Sequence, residues 1–111
     1  MLFVAEYEFG WDSLEAAMAR RLEWDDLKPS GFRYVGEYIW QDGDPPFRGI
    51  AIFEADSVDD VNSFVVNYGP ILTMKVHPAS DVVSAIASFP GATTPAPAKR
   101  RAASAKRSAR R

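Results

Sequence analysis

Residues 32–61 read FRYVGEYIWQDGDPPFRGIAIFEADSVDDV. Two runs rich in aromatic and β-branched residues, Phe32 to Gln41 and Phe47 to Ala55, flank the cluster Asp42-Gly43-Asp44-Pro45-Pro46. Asp-Gly supplies the positive-φ position of a tight turn, so the two runs are expected to pair as a β-hairpin. Ser57 and Asp60 then make an S-x-x-D helix start. Val58, Val61, Phe64, Val65 and Tyr68 line one side of that helix, and Gly69-Pro70 stops it.

Working outward, Leu2 to Phe9 has the Val, Phe and Tyr content of a strand and ends at Gly10. Asp12 and Glu15 form a D-x-x-E start for a helix from about Ser13 to Leu27, with Leu14, Ala17, Met18, Arg21 and Leu22 at helical spacing. Pro29, Ser30 and Gly31 break it. Ile71 to His77 reads as a fourth strand. Ser80 is placed to cap a last helix bearing Val82, Val83, Ile86 and Phe89, although Val82 to Ile86 also fits a strand. The order is β-α-β-β-α-β with a short C-terminal element. It predicts a ferredoxin-like α+β fold, with an antiparallel four-stranded sheet and both helices on one face.

The 111 residues suit one domain, expected over 1–89. From Pro90 the composition changes, and no apolar residue larger than Ala follows Phe89. Such a segment buries too little surface to offset its ordering entropy of about 1–2 kcal/mol per residue, so 90–111 is expected to be a disordered tail. The formal charge of −2 divides sharply along the chain. The domain holds all 15 acidic residues and six basic ones, a net of −9. The tail holds Lys99, Arg100, Arg101, Lys106, Arg107, Arg110 and Arg111 and no acid.

Strand parity separates two sheet faces. Phe3, Ala5, Tyr7 and Phe9, with Tyr34, Gly36, Tyr38, Trp40, Phe47, Gly49, Ala51, Phe53, Leu72, Met74 and Val76, form an uncharged set expected to lie under the helices. The opposite set mixes the aliphatics Leu2, Val4, Val35, Ile39, Ile50, Ile52 and Ile71 with Glu6, Glu8, Arg33, Glu37, Arg48, Glu54, Thr73, Lys75 and His77. An open face of roughly 500 Å² with that many aliphatics points to an interface, most simply a homodimer packed sheet to sheet.

The opening MLFVAEYEF, the strand–helix–strand spacing, the hairpin through Gly43 and the stretch FEADSVDDVNSF resemble the small prokaryotic dimeric α/β-barrel proteins, and within them a family of unknown function. The resemblance covers residues 1 to about 89 and rests on structural motifs. It implies the fold and the dimer. Relatives include cofactor-free monooxygenases, haem-binding enzymes and ligand-binding modules, and no catalytic motif of theirs maps onto this chain.

Glu6, Glu37, Arg48, Glu54, Lys75 and His77 are the candidate ligand-binding residues, since all are expected on the open face, inside the space between two sheets. The plainer reading, which comes first, is that the same residues pair across the dimer as buried or rim salt bridges. His77, the only histidine, is a weak candidate for a general base and a poor basis for a transition-metal site. Asp56, Asp59 and Asp60 lack the Gly and distal Glu of a calcium loop and fit better as helix N-terminal charge. Trp24, set among Glu23, Asp25 and Asp26, leaves partial exposure open, with helix–sheet packing expected rather than a ligand platform. Cysteine is absent, which removes disulfides and thiolate chemistry. No G-x-G-x-x-G, Walker A, G-x-S-x-G or H-E-x-x-H motif occurs, so no cofactor or metal is expected. No apolar run reaches membrane-spanning length, and the N-terminus lacks a basic region and a cleavage site, so a cytoplasmic location is expected.

Three functions stay open on this reading. The first is a small-molecule binding module with its pocket between the sheets. The second is a cofactor-independent enzyme using the same polar cluster. The third is a polyanion or nucleic-acid interaction protein acting through the basic tail, without sequence preference because the tail has no aromatic residue.

Overall fold

In the computed structural model, residues 1–91 are described. Strand β1 spans Leu2–Phe9, helix α1 Leu14–Leu27, β2 Phe32–Gln41, β3 Phe47–Ala55, α2 Val58–Tyr68 and β4 Thr73–Ala79. A further helix, α3, spans Val82–Ser88. The chain divides into two units, Met1–Ala79 and the part from Ser80 onward. The first is an α+β unit with the sheet order β2-β3-β1-β4, all neighbours antiparallel, which is the ferredoxin-like order. No described helix is long and apolar enough to cross a membrane.

The hairpin turns where the sequence places it. Gly43 has a φ of 68°, and the Asp42 N–H donates to Pro46 O at 2.8 Å. Ser57 caps α2, its Oγ accepting from the Asp60 N–H at 3.2 Å, while Asp59 and Asp60 occupy the first turn. Gly69, with a φ of 53°, ends α2. The start of α1 differs from expectation. Trp11–Ser13 forms a 3-10 turn, and Ser13 precedes α1 without a side-chain cap. Asp12 therefore lies inside that turn rather than at a capping position. β4 begins at Thr73, two residues later than expected, because Pro70 sits in a second 3-10 turn over Gly69–Ile71. In the second unit α3 is a helix and not a strand, and Asp81 rather than Ser80 caps it, accepting from the Ser84 N–H at 2.9 Å.

The core of the first unit lies between the sheet and α1 and α2. Phe3, Ala5, Phe9, Phe32, Phe47, Ala51, Phe53 and Leu72 come from the sheet side, Ala17 and Trp24 from α1, and Val61, Phe64 and Tyr68 from α2. Phe32, Phe53 and Phe64 are the largest fully buried side chains. Their rings meet at centroid distances of 4.6 to 5.1 Å. Trp24 packs edge-on against Phe32 at 5.1 Å and is 2% exposed, as expected of a packing residue. Truncating any one of these three phenylalanines to alanine is worth about 3–5 kcal/mol.

One irregularity rearranges the faces. β2 pairs Tyr34 with Phe53 but Gly36 with Ile52, so Val35 is an extra residue in the ladder. A β-bulge of this kind sets two residues against one and reverses side-chain alternation beyond it. The parity assignment holds up to Tyr34 and inverts afterwards. Glu37 pairs with Ala51 and Ile39 with Gly49, which puts both on the helix side. Tyr38 pairs with Ile50 and Trp40 with Arg48, which puts both on the open side. Ile71 also leaves the open face, since it lies in the 3-10 turn and packs against the core.

Candidate functional site

On the helix side, beside the core, lies a cleft of about 480 Å³. Leu14, Ala17, Met18, Arg21 and Leu22 of α1 form one wall. Tyr7 and Phe9 of β1, Glu37, Tyr38 and Ile39 of β2, Phe64 and Tyr68 of α2, and Leu72 and Met74 complete it. The α1 residues recur every three or four positions, so a single face of the helix supplies them. The Glu37 and Ile39 side chains face the cleft only because Val35 inverts the strand beyond it, whereas Tyr38 borders it from the open side of the strand.

Arg21 is the charged centre of this site. Its Nε donates to both Glu37 oxygens at 3.0 and 2.9 Å, and its Nη1 donates to Asp25 at 2.6 Å. Burial works against the guanidinium charge, yet hydrogen bonds to Asp25 and Glu37 outweigh it and raise its pKa above the ordinary arginine range. The same Asp25 bond holds that carboxyl below the usual carboxylate range. The guanidinium also lies 4.5 Å from the Tyr34 ring centroid, in cation–π range.

Three phenols surround the pair. Tyr7, Tyr34 and Tyr68 all have raised pKa values, mainly because burial disfavours the phenolate, and Glu37 adds to the effect. Tyr68 is pushed up to about 12. The Tyr34 hydroxyl is buried without a hydrogen bond of good geometry, and its phenol couples electrostatically to that of Tyr68. Tyr7 owes its position to Gly49, its cross-strand neighbour. A Cβ at Gly49 would collide with the Tyr7 ring, so glycine is what lets the ring lie over the sheet.

The open face carries a different chemistry. Arg48 Nη1 pairs with Glu8 at 2.9 Å, Arg33 with Glu54 at 3.3 Å and His77 Nε2 with Glu6 at 3.3 Å. Arg48 Nε is also held by Asp42 O at 2.9 Å. A smaller depression of about 240 Å³ lies here, lined by Glu6, Glu8, Trp40, Arg48, Ile50, Thr73 and Lys75 among others.

The sequence profile of a domain of unknown function, DUF3303, matches residues 1–93. The chain belongs to this family. No curated protein matches it.

In this DUF3303 domain the expected polar cluster is split between two faces. Glu6, Arg48, Glu54, Lys75 and His77 stay on the open side, where Arg48 and Glu54 make ion pairs and His77 lies in hydrogen-bond range of Glu6. Glu37 is corrected to the opposite side, where it meets Arg21. His77 faces away from the cleft, since it pairs with Val4 of the open face. Among the described residues no group of three or more His, Cys, Asp or Glu is arranged to hold a metal ion. Lys99, Arg100, Arg101, Lys106, Arg107, Arg110 and Arg111 lie outside the described residues.

Tyr7, Arg21 and Tyr68 were not expected at a site. Two signals pointed to them. Arg21 interrupts an apolar helical stripe and so needs a carboxylate near the sheet. Gly36, inside a strand, marks a position where a bulge is common.

Proposed function

We propose that this domain is a small-molecule binding module and that its ligand occupies the cleft between α1, α2 and the sheet. The cleft itself carries the reading. About 480 Å³ is within the size of sites that take one small organic molecule. Its walls are mostly apolar, with a few polar groups gathered in one place, and that pattern is usual for ligand sites. The space between two sheets is the weaker candidate, because the open-face charges are largely paired with one another.

N-phenyl-1-naphthylamine, an uncharged fluorophore that brightens in apolar surroundings, tests this. The unmodified chain should bind one equivalent with enhanced emission. Leu14→Trp and Met18→Trp should each fill the cleft and abolish the enhancement while circular dichroism stays unchanged. Absence of enhancement in the unmodified chain, or full enhancement in both folded variants, overturns the proposal.

The open face supports a homodimer, in keeping with the dimeric α/β-barrel resemblance. The bulge adds Tyr38 and Trp40 to Leu2, Val4, Val35, Ile50 and Ile52 on that face. Tyr38 is 64%, Val35 62% and Trp40 47% exposed, so a lone chain presents large apolar side chains there to water. A two-fold axis through the sheet would bury them against their own copies.

A further inference from the structure

We propose that the ligand of the helix-side cleft is uncharged, aromatic and oxygen-bearing, such as an aryl ketone, a quinone or a phenol. This class rests on the binding reading above. It follows from what the charges of the cleft already do. Arg21 gives its Nε to both oxygens of Glu37 at 3.0 and 2.9 Å and its Nη1 to Asp25 at 2.6 Å. Lys28 Nζ lies 3.8 Å from the same Asp25, so the group holds two cations and two carboxylates and offers an incoming ion of either sign no net attraction. Either ion would surrender its hydration to an apolar wall without gaining a partner.

What the cleft does offer is flat apolar surface and neutral hydroxyls. Met18 and Met74 line the cleft, and thioethers pack well against aromatic ring edges. Tyr7 and Tyr68 also line it, and burial keeps their phenols protonated well beyond neutral pH. A protonated phenol donates one hydrogen bond, so a ligand carbonyl or hydroxyl oxygen is the natural acceptor.

Displacement of N-phenyl-1-naphthylamine by four compounds of one skeleton tests the class at pH 7. They are 2-acetylnaphthalene, naphthalene, 2-naphthoate and 2-naphthylmethylammonium. The ketone should displace best, and naphthalene should be weaker by about three- to tenfold for want of one hydrogen bond. Both ions should be weaker than the ketone by at least about tenfold. In Tyr7→Phe or in Tyr68→Phe, both conservative enough to fold, the ketone's advantage over naphthalene should fall below about twofold with naphthalene's own affinity unchanged. An ion that displaces as well as the ketone overturns the class and leaves the binding reading standing. Equal displacement by ketone and naphthalene, or the full advantage kept in both variants, does the same. Failure of the fluorophore to bind at all overturns the binding reading itself.

Discussion

Gly49 and Tyr7 show how a single backbone position shapes the site. The Tyr7 ring occupies the volume that any side chain at 49 would need. Gly49→Ala should therefore push the ring out of the cleft, at a cost of about 1–3 kcal/mol for the forced repacking. A chemical denaturation midpoint lowered at unchanged m-value, together with lost fluorophore binding, is the expected result. The phenols also set a pH limit. Tyr7, Tyr34 and Tyr68 are all harder to ionise in the folded chain, with Tyr68 at about 12. In the unfolded chain a phenol releases its proton near pH 10. Above about pH 10 the unfolded state thus holds fewer protons than the folded one, and stability falls as pH rises. The contribution is complete below about pH 10 and is lost through about 12 and beyond. Denaturation midpoints across pH 8 to 12 check this. The decline should be shallower in Tyr34→Phe and Tyr68→Phe, and a flat profile would contradict it.

Among the elements, β2 decides where the site is. Deleting Val35 removes the extra residue and restores plain alternation with β3. Glu37 and Ile39 would then turn to the open face, while Tyr38 and Trp40 would be driven toward the core. The expected loss is at least about 2–3 kcal/mol, because one carboxylate leaves its partner and two large rings enter a packed layer. Equilibrium unfolding measures it, and undiminished stability would contradict the role given to the bulge. This is also where sequence reading stopped. The element order, the hairpin turn and the Ser57 cap were legible because local residues dictate them. The faces of β1 and β3 were legible because those strands alternate without interruption. Parity fails beyond Val35 because a bulge is settled by packing across the sheet. There Glu37 gains Arg21, and no window of β2 alone records that partner. The cleft was hidden for the same reason, as it draws on both helices and on the sheet at once.

For the whole molecule, the sheet separates two surfaces of different chemistry. The helix side holds the cleft, and the open side holds paired charges among exposed apolar residues. If the open side is a dimer interface, light scattering should give twice the chain mass at micromolar concentration, and Ile50→Glu or Ile52→Glu should yield monomer or aggregate. A folded monomer for the unmodified chain would contradict that arrangement. The central claim is that ligands enter on the helix side. The three methionines provide a direct reading of it, because Met18 and Met74 line the cleft and Met1 does not. With methyl-13C methionine labelling, a titration of the unmodified chain with 2-acetylnaphthalene should move the Met18 and Met74 methyl signals together, saturating at one equivalent, with Met1 in place. Binding that leaves Met18 and Met74 unmoved would put the ligand elsewhere and contradict the account.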